Sequence, residues 1–220
     1  MKPILYSRMV DRLAKVPPAK WADYDYEAKE LREDIPGWSS GAQVGFFDNL
    51  VLELPDHANV LVCGVYHGMD LHILENKASL HGKPINLVGV DLFSNQPYDD
   101  WNEEQKKIGT WERGLGWPSP SMEKAKAICP SAKLITCNSS NFMRLTQTGF
   151  HAIYLDTAHD YENVKEEIKA SANCLYPGGL LCGDDYKQTI PTYGVDRAVR
   201  ELLPRHHVLF DRIWLAEASI

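Results

Sequence analysis

From residue 59 onward, short apolar runs alternate with stretches of helical spacing. That alternation restricts the fold more than any other feature of the chain. The runs are "NVLVCG" (59–64), "INLVGVD" (85–91), "KLITCN" (133–138), "HAIYLD" (151–156) and "GLLCGDD" (179–185). Between them, residues from about Met69 to Ser79 have helical spacing. "YENVKEEIKASANCLYPGG" reads as a helix with Val164, Ile168 and Leu175 toward a sheet, ended by Pro177-Gly178-Gly179. A further helix is expected from Val195 to Leu203, stopping at Pro204, and "HHVLFD" with "RIWLAEA" makes a closing hairpin. Alternating strands and helices imply a mostly parallel sheet covered on both faces, an α/β architecture.

The segment 1–56 reads as helical. Residues 3 to 14 and 22 to 33 mix charge with apolar spacing and are separated by "VPPAKW", whose Pro17 and Pro18 break any helix. Ser39 or Ser40 is a candidate N-cap for a third helix with apolar spacing from Val44 to Leu54. Residues 94–130 are long for a strand connection and carry Trp101, Trp111 and Trp117; they read as a lid or substrate wall, or as a decorated loop with its aromatics tucked in. Residues 1–220 are expected to form one domain.

A formal charge of −7 argues against a duplex-binding protein, which needs a basic face. No apolar run approaches the roughly 20 residues of a membrane span, and the charged start lacks the apolar core of a secretory signal. The five cysteines show no metal-ligand spacing, and Cys63, Cys137 and Cys182 lie in strand-like runs. The expectation is a cytoplasmic protein with reduced thiols and with no nucleic-acid or membrane partner.

In open parallel sheets ligands bind beyond the carboxyl ends of the strands. Asp91, Asn138, Asp156, Asp184 and Asp185 all fall where a predicted strand ends. The first strand runs into "CGVYHGMDL", where Gly64 and Gly68 suit a tight turn under a helix start. The spacing G-x-x-x-G lacks the pattern that admits a dinucleotide pyrophosphate. Asp91 at the end of the next strand can accept two ribose hydroxyls, and Asn138 with Ser139 can meet an adenine edge. A nucleoside without a pyrophosphate fits this set better than NAD.

The succession "VLVCGVYHGMDL", "LVGVDLF", "YLDTAHDYENVKEEI" and "YPGGLLCGDDY" resembles the class I S-adenosylmethionine-dependent methyltransferases over residues 58 to 216. It is most similar to the branch of macrolide sugar O-methyltransferases of the macrocin and mycinamicin type. The resemblance implies a Rossmann-like, doubly wound, seven-stranded sheet with an antiparallel last strand. It implies S-adenosylmethionine held by Gly64, Val65, Tyr66 and Gly68, by Asp91 and Leu92, and by Asn138, Ser139 and Asp156. It further implies magnesium, or another divalent cation, on Asp156, Asp184 and Asp185, and His159 as general base beside Asp156. Val62 stands where that family usually carries the acid that helps to hold the cofactor's amino group, and Asp70 is a candidate substitute.

The chemistry expected is methyl transfer to a hydroxyl of a small molecule, a sugar or natural-product intermediate. Hard carboxylates suit magnesium, and imidazole titrates near working pH. Bland readings remain: "GDDY" as a helix N-cap with an acidic first turn, His159 as a hydrogen-bonded surface histidine, and Asp91 as a loop acid. Three other functions are consistent with the same residues. They are a methyltransferase without metal, an Fe(II) hydroxylase-like enzyme, and a cofactor-binding protein without catalysis. A homo-oligomer is compatible with all of them.

Overall fold

A computed structural model describes residues 5–94, 120–187 and 193–217. Three helices come first: α1 (Leu5–Leu13), α2 (Pro18–Asp34) and α3 (Gly41–Glu53). Strands and helices then alternate as β1 (Ala58–Cys63), α4 (Met69–Leu80), β2 (Ile85–Asp91), α5 (Met122–Ile128), β3 (Lys133–Thr136), α6 (Ser139–Leu145), β4 (Phe150–Leu155), α7 (Tyr161–Ser171), β5 (Leu175–Gly183) and α8 (Val195–Leu202). A hairpin of β6 (His206–Leu209) and β7 (Ile213–Glu217) follows. The seven strands form one sheet in the order β3-β2-β1-β4-β5-β7-β6. β7 is antiparallel to both neighbours, while β1 to β5 pair in parallel. The Rossmann-like sheet expected from the sequence is present.

Strand residues divide between two cores by their period of two. Val60, Val62, Ala152, Tyr154, Leu180 and Cys182 face a core shared with α1, α3 and α4. Leu61, Cys63, Ile153, Leu155, Leu181 and Trp214 face the other, shared with α7 and α8. Val62 is thus spent on packing and does not reach the rim. The five cysteines are free, all but Cys137 fully buried. Among the described residues no helix is long and apolar enough to cross a membrane.

Local chemistry explains the boundaries. Ser40 caps α3 in a reciprocal box with Gln43, a motif contributing about 1 kcal/mol. Pro17 and Pro18 separate the first two helices as expected, and they also start the second: Pro17 is the N-cap of α2 and Pro18 its first residue, where the missing N–H costs nothing. Pro177-Gly178-Gly179 does not end a helix. α7 stops at Ser171, and β5 begins at Leu175, a residue expected on the helix. Pairing jumps from Phe150↔Leu175 to Ala152↔Leu180, so residues 176–179 bulge opposite His151. β7 pairs only with residues 180–183, so the bulged part of β5 has a free edge that tolerates proline. β3 ends at Thr136, two residues early, because Asn138 turns to cap α6. Most of the expected 94–130 insertion, with its three tryptophans, lies outside the described residues; α5 is its described end.

Candidate active site at the carboxyl rim

The parallel ladder continues one residue past several strand ends and fixes the loops that leave the sheet. Gly64 donates its N–H to the Val90 carbonyl (2.9 Å), Cys137 to Asp91 (3.1 Å), Asp156 to Cys63 (2.8 Å) and Asp184 to Leu155 (3.1 Å). A side chain on Gly64 would put its Cβ 1.6 Å from the Asp156 carbonyl oxygen, and its φ is +87°. Only glycine lets the first loop pass so close to the fourth.

Each of four rim loops also holds one non-glycine residue in the left-handed region: Tyr66 (φ 53°), Phe93 (49°), His159 (59°) and Asp185 (59°). Such conformations cost about 1 kcal/mol or more each. Three more such residues, His57, Phe210 and Asp211, lie outside these loops, so the rim carries four of the seven among the described residues.

Asp91 ties the first two loops together. One carboxylate oxygen accepts the N–H groups of Val65 (2.7 Å) and Tyr66 (2.8 Å), and the other accepts from Phe93 (2.7 Å). A carboxylate has about four acceptor positions, so room remains for a ribose hydroxyl. Leu92 lies between Asp91 and Phe93 on this half-buried loop. Gly68 caps α4 at φ 95°, and the Tyr66 ring stacks on His67 at 4.2 Å. Asn138 accepts from the Asn141 N–H (3.0 Å) and from the Ser140 hydroxyl (2.7 Å) through one oxygen. Its side-chain nitrogen makes no hydrogen bond among the described residues. Ser139 is buried and gives its hydroxyl to Glu167.

The acidic end gathers residues from β4, β5 and β7. His159 Nδ1 is 3.3 Å from Asp185 and 4.0 Å from Asp156, and its ring stacks on Tyr193 at 4.6 Å. One ligand atom from each of Asp156, His159 and Asp185 lies within 4.8 Å of the others. Asp184 is held apart from this group. Only 2% exposed, it accepts from Arg212 Nε (3.1 Å) and Nη2 (2.7 Å) on one oxygen, and from the Asp185 N–H (2.7 Å) on the other. Arg212 Nη2 also stands 3.7 Å from Asp185. No helix starts at "GDDY" among the described residues; Asp185 leads into a turn that donates from Tyr186 N to the Arg212 carbonyl (2.9 Å).

Burial, then the charges of Asp184, Asp185 and Asp70, push the Asp156 carboxyl well above the usual aspartate range. Burial raises Asp184 to about 6, with Arg212 offsetting part of the effect. Asp70, in the first turn of α4, is raised to about 7 by burial and then by the charge of Asp184. Tyr154 lies beneath and accepts from Gln43 (3.4 Å); burial and these same acids keep it a neutral phenol. Four carboxylates thus share one guanidinium. The oxygens of Asp156 and Asp185, beside this excess of acid, are the ligand type that a hard divalent cation takes.

Sequence reasoning placed Asp156, His159 and Asp185 together and grouped Asp184 with them, whereas the structure pairs Asp184 with Arg212. It missed Arg212, Tyr193, Glu167 and Tyr154. Arg212 meets Asp184 across 28 residues of chain. The available signal was a lone basic residue opening the last strand, next in the sheet to the one that ends in "GDD".

The methyltransferase-domain family matches residues 61–186, more than half of the chain. No curated protein matches it in sequence. Among solved structures, the O-methyltransferase NovP superposes with a TM-score of 0.65 at 13% identity, over 82% of this chain and 81% of its own. CalS11, a calicheamicin methyltransferase, gives 0.55 at 17% identity over 98% and 92%. The methyltransferase PaMTH1 of Podospora anserina, solved with SAH bound, gives 0.50 at 14% over 94% and 93%. At such identities the likeness speaks to the fold alone. The family match is independent of it and takes in the rim from β1 to Tyr186. The chain therefore belongs to the methyltransferase-domain family and is an S-adenosylmethionine-dependent methyltransferase.

Proposed function

We propose that the protein is an O-methyltransferase that methylates a hydroxyl of a small molecule, a sugar or natural-product intermediate, with a divalent cation, magnesium, at Asp156 and Asp185. The observation that carries this reading is the convergence of Asp156, Asp185 and His159 beside the glycine loop. Two neighbours in fold support it: NovP is an O-methyltransferase, and CalS11 is a TDP-rhamnose 3'-O-methyltransferase.

S-adenosylmethionine supplies an electrophilic methyl group, and a bound divalent cation supplies Lewis acidity that lowers the pKa of a hydroxyl. The protein's share is position and proton. Asp91 takes ribose hydroxyls, with Gly64, Val65, Tyr66, Gly68 and Leu92 lining the same end; Asn138 and Ser139 border adenine. Asp70 takes over the amino group in the absence of an acid at Val62. The Asp185 carboxylate, 3.3 Å from Nδ1 of His159, favours the proton on that nitrogen, which leaves Nε2 to take the acceptor's proton as the oxygen–carbon bond forms and the carbon–sulfur bond breaks. Tyr193 holds the ring by stacking. The N-terminal helices and residues 94–130 supply acceptor specificity.

A second reading is favoured by Arg212. Its guanidinium already neutralises Asp184 and leans toward Asp185, so the acids need no metal to coexist. Calorimetric titration with S-adenosylhomocysteine, with and without magnesium, tests the cofactor end. Micromolar binding is expected, and no binding in either condition would sink the proposal. An acceptor screen with and without chelator then separates the readings, since turnover that survives chelation removes the metal.

A further inference from the structure

α7 turns an ionisable residue into the core. Tyr161, Val164, Ile168 and Ser171 are buried on this helix, and Glu167 lies among them, only 3% exposed. Its hydrogen-bond partners among the described residues are two hydroxyls. Ser139 donates to one carboxylate oxygen, and Thr157 donates to the other at 2.7 Å. A buried carboxylate held by neutral donors costs stability that a leucine at the same place would not.

What the carboxylate provides is a connection. Ser139 opens α6 directly after Asn138, at the end of β3. Thr157 directly follows Asp156 and stands two residues before His159. Glu167 therefore bridges the loop at the adenine end and the loop that carries the acid and the base. Thr157, His159, Glu167, Asp184 and Trp214 also line a small cavity behind the rim, on the order of one water molecule in size. The Trp214 indole N–H, fully buried, has no partner among the described residues. A water there would accept from it and extend the bridge to β7.

We propose that Glu167 is a positioning residue that makes the loops after β3 and β4 respond as one unit. Occupancy of the adenine end at Asn138 and Ser139 thereby orders Asp156 and His159. The inference rests on the cofactor placement under Proposed function and adds a coupling between its two ends.

Hydrogen–deuterium exchange of the full chain, with S-adenosylhomocysteine as the probe, tests it. In the wild type the probe should slow exchange about tenfold in both 138–142 and 157–161. Glu167→Leu fills the same volume but makes neither hydrogen bond. It should keep the protection at 138–142 and lose it at 157–161. Glu167→Gln, which still bonds both hydroxyls, should restore it, a rescue that general loosening of the core would not give. Thr157→Val cuts the bridge at its other end and should reproduce the loss should the leucine variant not fold. Protection at 157–161 that survives both Glu167→Leu and Thr157→Val overturns the coupling alone. A wild type that binds no S-adenosylhomocysteine overturns the cofactor placement and the coupling with it.

Discussion

Gly64 and Arg212 show how single residues hold the rim together. Gly64 has no room for a side chain against the Asp156 carbonyl and sits at φ +87°. Overpacking and left-handed strain add for alanine at this position, so Gly64→Ala should lower unfolding stability by roughly 3 kcal/mol in urea melts. Cofactor affinity should fall with it, because the first and fourth loops separate. Arg212 faces the opposite problem, a buried charge whose partner titrates. Arg212→Met leaves Asp184 without its cation, a defect costing about 3 kcal/mol or more when the acid is ionised. Because burial places Asp184 at about 6, the loss should be large at pH 8 and small at pH 5, where the carboxyl is already protonated. An equal loss at both pH values would show that the ion pair is not what Arg212 contributes. His159→Gln removes the proposed base but keeps a polar side chain, and should lower kcat by about a hundredfold or more with cofactor binding unchanged.

At the scale of elements, legibility followed the range of the interactions. The five core strands, the three N-terminal helices and the closing hairpin were readable because side-chain period and capping are local: Ser40 with Gln43 is a four-residue signal. Ser40→Ala should accordingly cost about 1 kcal/mol, measured as a shift in the urea midpoint with unchanged slope. α5 and α6 were missed, and the ends of β3 and α7 and the start of β5 were misplaced. α5 and α6 are each seven residues long, too short to show a period. The early start of β5 depends on a bulge opposite His151, which belongs to the partner strand and leaves no mark in "YPGG". The site divides the same way. Asp91, Asp156 and Asp185 stand at or just past strand ends, with His159 three residues beyond Asp156, and could be found from the chain alone. Arg212, Tyr193 and Glu167 are brought in by tertiary packing, and no spacing announces them. Asp184 was legible as a rim acid but not as Arg212's partner.

Over the whole molecule, the acid cluster makes stability depend on pH. Asp184 at about 6 and Asp70 at about 7 both lie above the ordinary aspartate value of 3.8. A carboxyl raised by folding binds protons more tightly in the native state, so stability falls as pH rises from about 4 through 7. The melting temperature should therefore drop between pH 5 and pH 8. Asp70→Asn should raise it at pH 8 and leave it nearly unchanged below pH 4, and an unaltered slope in that variant would remove Asp70 from the account. Magnesium should stabilise the protein more at pH 8 than at pH 5, because the raised Asp156 carboxyl then holds its proton less and competes less with the cation.

The β6–β7 hairpin gives this charge balance a history. Asp70, Asp156, Asp184 and Asp185 all leave the ribosome before Arg212, the residue that neutralises the innermost of them. Until the hairpin's turn emerges, Asp184 has only protons and water for company. The hairpin's turn brings the one guanidinium that Asp184 meets among the described residues, so a chain cut short of the hairpin would have to bury that acid without its cation.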